Sequence, residues 1–351
     1  LETNVIGDAV SPLSSSGLQV PVSFLGTGMY IPDKIITNRD LTARLDTTDE
    51  WIVNKTGIRE RRFLEEGKYT SDMCIGAAKQ ALHNGGIHPK DLDAIVVSTF
   101  TFDQLLPSTA LIIKEELGAD QAIPIDLNQV ACAGGVYGVW LGCHLLQNEK
   151  TKHVLVIGAD CMSRVTDPFD RTTRVFFGDA AGALILGKTE EGYGFLSWDL
   201  QSDLSYSVQI PSGGSKQPTS EFSVAERGQY LKMDGRAVWR EATRQLPKTM
   251  LTTAQRADLE IDDIDHFFVH QANFNILKNV MENLQQPMEK AIVNVDRFGN
   301  TGAATVFTVL HEAMERKAIH HGDYMIMAGI GAGFLWGSLC LRYYHQTGSG
   351  E

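Results

Sequence analysis

Three segments of this chain recur in the same order at almost one spacing, which limits the folds open to it. Asp91–Ser98 has an echo in Asp263–His270, 172 positions further on (91 to 263). Val154–Ala159 has an echo in Met325–Ile330, 171 positions on (154 to 325). Between them, a strand-like Ile123–Leu127 followed by Cys132 parallels a strand-like Ala291–Val295 followed by Gly299-Asn300. Apolar strands look alike, so each echo is weak alone; the common offset argues for a duplicated half.

Helical stretches alternate with these strands. Ser71-Asp72 caps a helix running toward Asn84, and Gly85-Gly86 stops it. Asp234-Gly235 precedes a second, from about Arg236 to Gln255, which Pro247 is expected to kink or split. Gly134–Gln147 and Gly302–Arg316 complete the alternation. Helices alternating with near-continuous apolar strands predict an α/β chain with mainly parallel, buried sheets. We divide it into a leader (1–20), an N-terminal half (21–190), a C-terminal half (191–345) and a polar tail (346–351). Two such halves side by side bring corresponding strand ends together. Cys132, His270 and Asn300, each near such an end, then converge on one junction.

Each of the three has a plain reading beside the chemical one. Cys132 follows a strand and opens a helix within Ala131-Cys132-Ala133-Gly134-Gly135. Small neighbours leave the thiol room, and a helix N-terminus favours thiolate; a cysteine that only packs is the other reading. His270 ends the run Phe267-Phe268-Val269 and is followed by Gln271-Ala272-Asn273; it is either a satisfied core histidine or a polar strand end facing a site. Asn300, in Phe298-Gly299-Asn300-Thr301-Gly302, suits a turn as well as a site. Gly331-Ala332-Gly333 either presents backbone N–H groups to an oxyanion or permits close packing.

The totals exclude several classes. A net charge of −12 argues against a nucleic-acid partner. The five cysteines are scattered and form no CxxC pair, so a reducing cytoplasm is expected rather than a disulfide framework or a zinc site. No apolar stretch has membrane-spanning length, and the first 20 residues lack a secretory signal. HExxH, Walker-type and GxGxxG motifs are absent, and no metal or cofactor is expected.

Over residues 21–344 the chain resembles the β-ketoacyl-acyl-carrier-protein synthase III family of the thiolase-like superfamily. The resemblance is carried by Thr48-Asp49-Glu50-Trp51-Ile52-Val53, Thr56-Gly57-Ile58-Arg59-Glu60-Arg61, Ala131-Cys132-Ala133-Gly134, Asp170-Arg171, Phe177-Gly178-Asp179, His270-Gln271-Ala272-Asn273, Gly299-Asn300-Thr301 and Gly333-Phe334-Leu335-Trp336-Gly337. It implies a five-layered αβαβα sandwich of two duplicated halves, a homodimer, and a ping-pong condensation. In that reaction Cys132 takes an acyl group from acyl-CoA, and a malonyl or β-ketoacyl thioester on acyl carrier protein then enters. His270 and Asn300 stabilise the enolate left by decarboxylation, and the backbone N–H groups of Cys132 and Ala332 form the oxyanion hole. Trp51 and Arg171 would sandwich the CoA adenine, with Lys55 and Asn273 also binding CoA. Met162 and Phe177 would border the acyl pocket, with Leu106 near its closed end.

The chain departs from the family pattern in places. Asn275 stands where typical members carry a carrier-docking arginine, Lys55 replaces a frequent arginine, and Ala332 replaces the middle glycine of a Gly-Gly-Gly turn. These changes point toward specialised metabolism, with fatty-acid and specialised polyketide biosynthesis both open. They also keep open an acyltransferase that moves the Cys132 acyl group to an alcohol, amine or carrier thiol without forming a C–C bond. A cysteine protease fits poorly, because Cys132 lacks the Cys-Gly-Ser-Cys-Trp context of papain-like enzymes.

Overall fold

The structure, a computed structural model, describes residues 17–345. The first half of the chain builds one sheet from β1 (Val22–Tyr30), β2 (Ala94–Ser98), β3 (Ile123–Leu127), β4 (His153–Cys161) and β5 (Asp179–Lys188), in the spatial order β1-β5-β4-β2-β3. The second half builds a sheet from β6 (Gly194–Ser202), β7 (His266–Val269), β8 (Tyr324–Gly331) and β9 (Leu335–Arg342), in the order β6-β9-β8-β7. Beyond β7 a parallel bridge joins Phe267 to Ala291, where the first sheet has β3. The two sheets therefore share one topology. The echo also extends beyond the strands, since a 3₁₀ turn precedes both β2 (Pro89–Asp91) and β7 (Ile261–Asp263).

Two expectations change. The sheets are mixed rather than mainly parallel: β2 pairs parallel with β3 and β4, but β5 runs antiparallel to both β4 and β1. In the second half, β8 turns back into β9 within three residues, too few for the crossover that a parallel pair requires. Likewise Ala291–Val295 is not a strand, because a side chain occupies its ladder. The Gln271 carboxamide donates to Val269 O (2.8 Å) and Ile292 O (3.3 Å) and accepts from Asn294 N (3.2 Å). The chain then enters a short helix, Val295–Phe298.

Six helices complete the layers: α1 (Thr70–Gly85), α2 (Thr109–Leu117), α3 (Gly134–Leu145), α4 (Gly235–Arg256), α5 (Phe274–Asn283) and α6 (Thr305–Glu315). Strand alternation decides which face each meets. Val96, Val156 and Leu184 of the first sheet and Phe268, Met327 and Leu339 of the second share one core with Val136 and Val139 of α3 and Phe307 and Leu310 of α6. The intervening residues Ile95, Ile157 and Ile185 face outward to Met73 and Ala77 of α1 and Ile113 of α2. Phe267, Ile326 and Cys340 face Leu246 and Met250 of α4 and Ile276 and Val280 of α5. Two buried helices between two sheets, each sheet covered outside by two more, make the αβαβα sandwich. Pro247 does not split α4, which runs unbroken for 22 residues.

Residues 1–16 and the tail 346–351 lie outside the described residues. Gly17–Val20, assigned above to the leader, packs on the folded body. Leu18 is buried, and the N–H groups of Gln19 and Val20 donate to Gln147 Oε1 at 2.8 and 2.9 Å. Among the described residues no helix is long and apolar enough to cross a membrane.

Candidate active site

Cys132 sits in a 3₁₀ turn, Ala131–Ala133, that runs straight into α3. The turn is tight: Gln129 (φ 60°) and Ala131 (φ 49°) both adopt left-handed backbone, rare for residues with a side chain. Gly331, at the end of β8, presses on this turn; a Cβ there would lie 2.9 Å from Cys132 N and 2.5 Å from Val130 O. Gly134 and Gly135 are helical, and their value lies in close approach. A Cβ on Gly134 would meet Ser98 Oγ at 1.9 Å, and one on Gly135 would meet Val306 Cγ2 at 2.6 Å. The start of α3 thus packs directly against the start of α6 from the other half.

Asn300 reaches the same place through a backbone stitch between the halves. Its N–H donates to Phe176 O (2.8 Å), and its C=O accepts from Gly178 N (3.0 Å). Phe177-Gly178-Asp179 and Phe298-Gly299-Asn300, far apart in sequence, are therefore one cross-half bridge. The Asn300 side chain is oriented by Gly302, whose N–H donates to Oδ1 at 3.0 Å. The Cys132 Sγ lies 4.0 Å from the same Oδ1. With that oxygen engaged, the carboxamide NH₂ is the end that a ligand would meet.

His270 follows β7 and is buried. Its Nδ1 lies 2.7 Å from Thr305 Oγ1, at the start of α6. Burial depresses the imidazole to about 3, so the ring is neutral at physiological pH. When Thr305 turns its one hydroxyl proton from Gly302 O (3.1 Å) to Nδ1, the ring carries its own proton on Nε2 as a donor. The thiol shifts the other way. Desolvation, and after it the Asp160 carboxylate, push Cys132 up to about 12, while the Asn300 contact pulls it down. The helix N-terminus therefore does not by itself deliver a thiolate, contrary to the sequence-based expectation, because the surrounding wall is apolar.

Cys132, His270, Asn300 and Ala332 line one inner cavity of about 70 Å³. Met162 and Phe177 contribute to its wall, joined by Phe100, Leu231, Met233, Val238 and Phe334. Of these five only Phe334, within Gly333-Phe334-Leu335-Trp336-Gly337, belongs to a motif noted in the sequence; the other four carry no local signature. Asn300 and Phe177 also face a larger cleft of about 860 Å³. Trp51, Lys55 and Asn273 line that cleft, together with Arg236 and Trp239 of α4. Arg171 stands beside it, with its guanidinium 5.8 Å from the centre of the Trp51 ring and bonded to Asp46 O at 2.7 Å. Asn273 is also the N-cap of α5, its Oδ1 accepting from Ile276 N at 3.0 Å.

Two residues stand elsewhere than expected. Leu106 lines neither cavity: it sits on an outward loop with its side chain 84% exposed. Asn275 is a brace, with Nδ2 donating to Asn54 O (3.1 Å) and Lys55 O (2.9 Å) at the end of the helix Asp49–Thr56.

Residues 125–204 match the 3-oxoacyl-[acyl-carrier-protein] synthase III family, and residues 254–343 match its C-terminal domain. The chain is 39% identical over 326 residues to a β-ketoacyl-[acyl-carrier-protein] synthase III of Desulfitobacterium hafniense, covering 92% of this chain and 98% of that one. It is 40% identical over 319 residues to one of Bacillus pumilus, covering 91% and 98%. Among solved structures, a 3-oxoacyl-[acyl-carrier-protein] synthase III from Aquifex aeolicus aligns with a TM-score of 0.84 at 33% identity, over 92% of this chain and 100% of that one. The priming β-ketosynthase of a polyketide biosynthetic pathway aligns with a TM-score of 0.85 at 29% identity, over 93% and 99%.

Proposed function

This chain belongs to the 3-oxoacyl-[acyl-carrier-protein] synthase III family, and we propose that it joins a Cys132-bound acyl group to a malonyl thioester with loss of carbon dioxide. The setting is fatty-acid or polyketide biosynthesis. The observation that carries this reading is the convergence of a thiol, a neutral imidazole and a carboxamide on one cavity at the base of a cleft. In the first half-reaction the Cys132 sulfur attacks the carbonyl of an acyl-CoA. The thiol starts protonated, so proton loss accompanies the attack, and the departing CoA sulfur takes up the balancing proton. The N–H groups of Cys132 and Ala332 face the oxyanion.

In the second half-reaction the donor's C–C bond to its carboxylate breaks and carbon dioxide leaves. The electron pair moves into the thioester as an enolate. His270 Nε2–H and Asn300 Nδ2–H donate to that oxygen. A neutral imidazole suits the task, since it donates without surrendering its proton. The enolate carbon then attacks the acyl carbonyl and expels Cys132, which regains a proton. No cofactor enters this scheme; acyl-CoA is a substrate. Trp51, Arg171, Lys55 and Asn273 receive the CoA or carrier arm. Unpaired cysteines throughout fit a cytoplasmic setting.

Intact-mass spectrometry tests the cycle. Incubation with a panel of acyl-CoAs should give one acyl adduct, and adding malonyl-acyl-carrier protein should discharge it as a product two carbons longer. Discharge without extension would replace this reading by simple acyl transfer, for which the loss of a docking arginine at Asn275 leaves room.

The homodimer is part of the proposal. The outer edge of β3 pairs with no strand among the described residues, and Ile123 is 62% exposed there. An apolar open edge of this kind invites pairing with another chain. Sedimentation should give twice the 38.6 kDa chain mass, and Ile123→Lys should shift it toward monomer. A wild-type monomer would refute this.

A further inference from the structure

We infer that Asp160 is a positioning residue for the condensing step: from the first half of the chain it holds the Gly302–Thr305 turn of the second, and through that turn it aims both Asn300 and His270. The inference rests on the reading of those two residues as the enolate-stabilising pair.

Asp160 is the penultimate residue of β4 and is fully buried. Its Oδ2 accepts the N–H of Ala303 at 2.9 Å, across the junction between halves. Its Oδ1 accepts from Phe100 N (3.1 Å), Thr99 Oγ1 (3.1 Å) and Thr101 Oγ1 (3.3 Å). Two amides and two hydroxyls thus converge on one carboxylate, and Phe100 is itself a wall of the inner cavity. The turn is shaped to receive it. Gly302 adopts φ +61°, and a Cβ there would lie 2.1 Å from Asp160 Oδ2. Only a glycine lets the carboxylate reach the next N–H.

The same turn touches both partners. Gly302 N–H fixes Asn300 Oδ1 at 3.0 Å. Thr305 Oγ1 stands between Gly302 O at 3.1 Å and His270 Nδ1 at 2.7 Å, with one proton to give to either. Asp160 therefore anchors the middle of a short segment whose ends orient the carboxamide and the imidazole. Burial raises the Asp160 carboxyl to about 7, and above that pH its charge has a second consequence. It is one of the causes that hold the Cys132 thiol protonated, and it acts on the buried Cys74 thiol as well. Removing the charge while loosening the turn should impair decarboxylation and leave self-acylation nearly unchanged. A carboxylate that only filled a polar gap would lower stability and weaken both steps alike.

Asp160→Asn separates these outcomes. Circular dichroism establishes that the variant folds. Alkylation of Cys132 by iodoacetamide, followed against pH, should rise at lower pH than in the parent. Self-acylation by acyl-CoA should stay within roughly threefold, while malonyl decarboxylation by the acylated enzyme should fall about 100-fold, as expected when a reacting group is misplaced by about 1 Å. Equal losses in both half-reactions, or undiminished decarboxylation, would overturn the inference. Should Asp160→Asn not fold, Gly302→Ala attacks the same contact from the other side with the charge intact. It should impair decarboxylation and leave the alkylation profile unshifted; a folded Gly302→Ala with normal decarboxylation would also overturn the inference. Normal decarboxylation in Asn300→Ala, by contrast, would refute the role of the pair rather than that of its anchor.

Discussion

Cys132→Ala is expected to accept no acyl group from any acyl-CoA, and condensation should fall by at least about 10⁴-fold, the scale on which covalent catalysis fails without its nucleophile. The fold should survive, because the side chain is only partly buried and loses a single atom. The informative readout is carbon dioxide. His270 and Asn300 are bound to Thr305 and Gly302 and need nothing from the sulfur to stay in place. The variant should therefore still decarboxylate a malonyl thioester slowly, releasing the acetyl thioester instead of an extended product. An acyl adduct on Cys132→Ala would remove the nucleophile assignment. Complete loss of decarboxylation would show that the acyl-cysteine takes part in breaking the carboxylate bond, which the present geometry does not require.

Asn300→Ala and His270→Ala should show the opposite split. Each removes one donor to the developing enolate oxygen, and such donors are worth about 10²–10³-fold in rate. Decarboxylation should fall by that factor in either variant, with self-acylation reduced far less. Burial holds His270 to about 3, well below the ordinary histidine value. Its ring should then stay neutral from pH 5 to 9, and the decarboxylation rate should show no inflection near pH 6.5. The same depression affects stability. Below pH 6.5 the unfolded chain binds a proton at this histidine that the folded chain refuses, so the contribution turns unfavourable as pH falls toward 3. A rate inflection near 6.5 would mean that imidazolium, not imidazole, is the working form. Equal loss of both half-reactions in Asn300→Ala would contradict its assignment to the enolate.

How much of this could be read from the sequence depends on how local each signal is. The duplication was legible because strand composition and spacing survive in the chain itself, and matching offsets need no knowledge of contacts. The junction was legible for the same reason, since corresponding ends of like halves meet. Ala291–Val295 misled because its composition suits a strand, yet the groups that would pair with it are taken by the Gln271 side chain. Leu18 looked like leader because its Ser-Gly-rich surroundings conceal one side chain that is buried. Leu106 was placed in a pocket by analogy, and the loop carries it outward. Thr305 and Asp160 gave no signal at all, for a threonine opening a helix and an aspartate ending a strand are both ordinary.

The sequence alone determined the repeat, the layered α/β class and the identity of three chemically able side chains. Those follow from periodicity and residue type, which are properties of neighbours along the chain. The tertiary structure decided what state those side chains are in. Whether the thiol is protonated, which end of the Asn300 carboxamide points inward and whether His270 is neutral all depend on burial and on partners distant in the chain: Asp160 and Phe176 O of the first half accept from Ala303 N and Asn300 N of the second, and Thr305 Oγ1 stands beside His270 Nδ1. Electrostatics and hydrogen bonding act through space over a few ångströms, and residues 143 positions apart become neighbours only when the two halves close on each other.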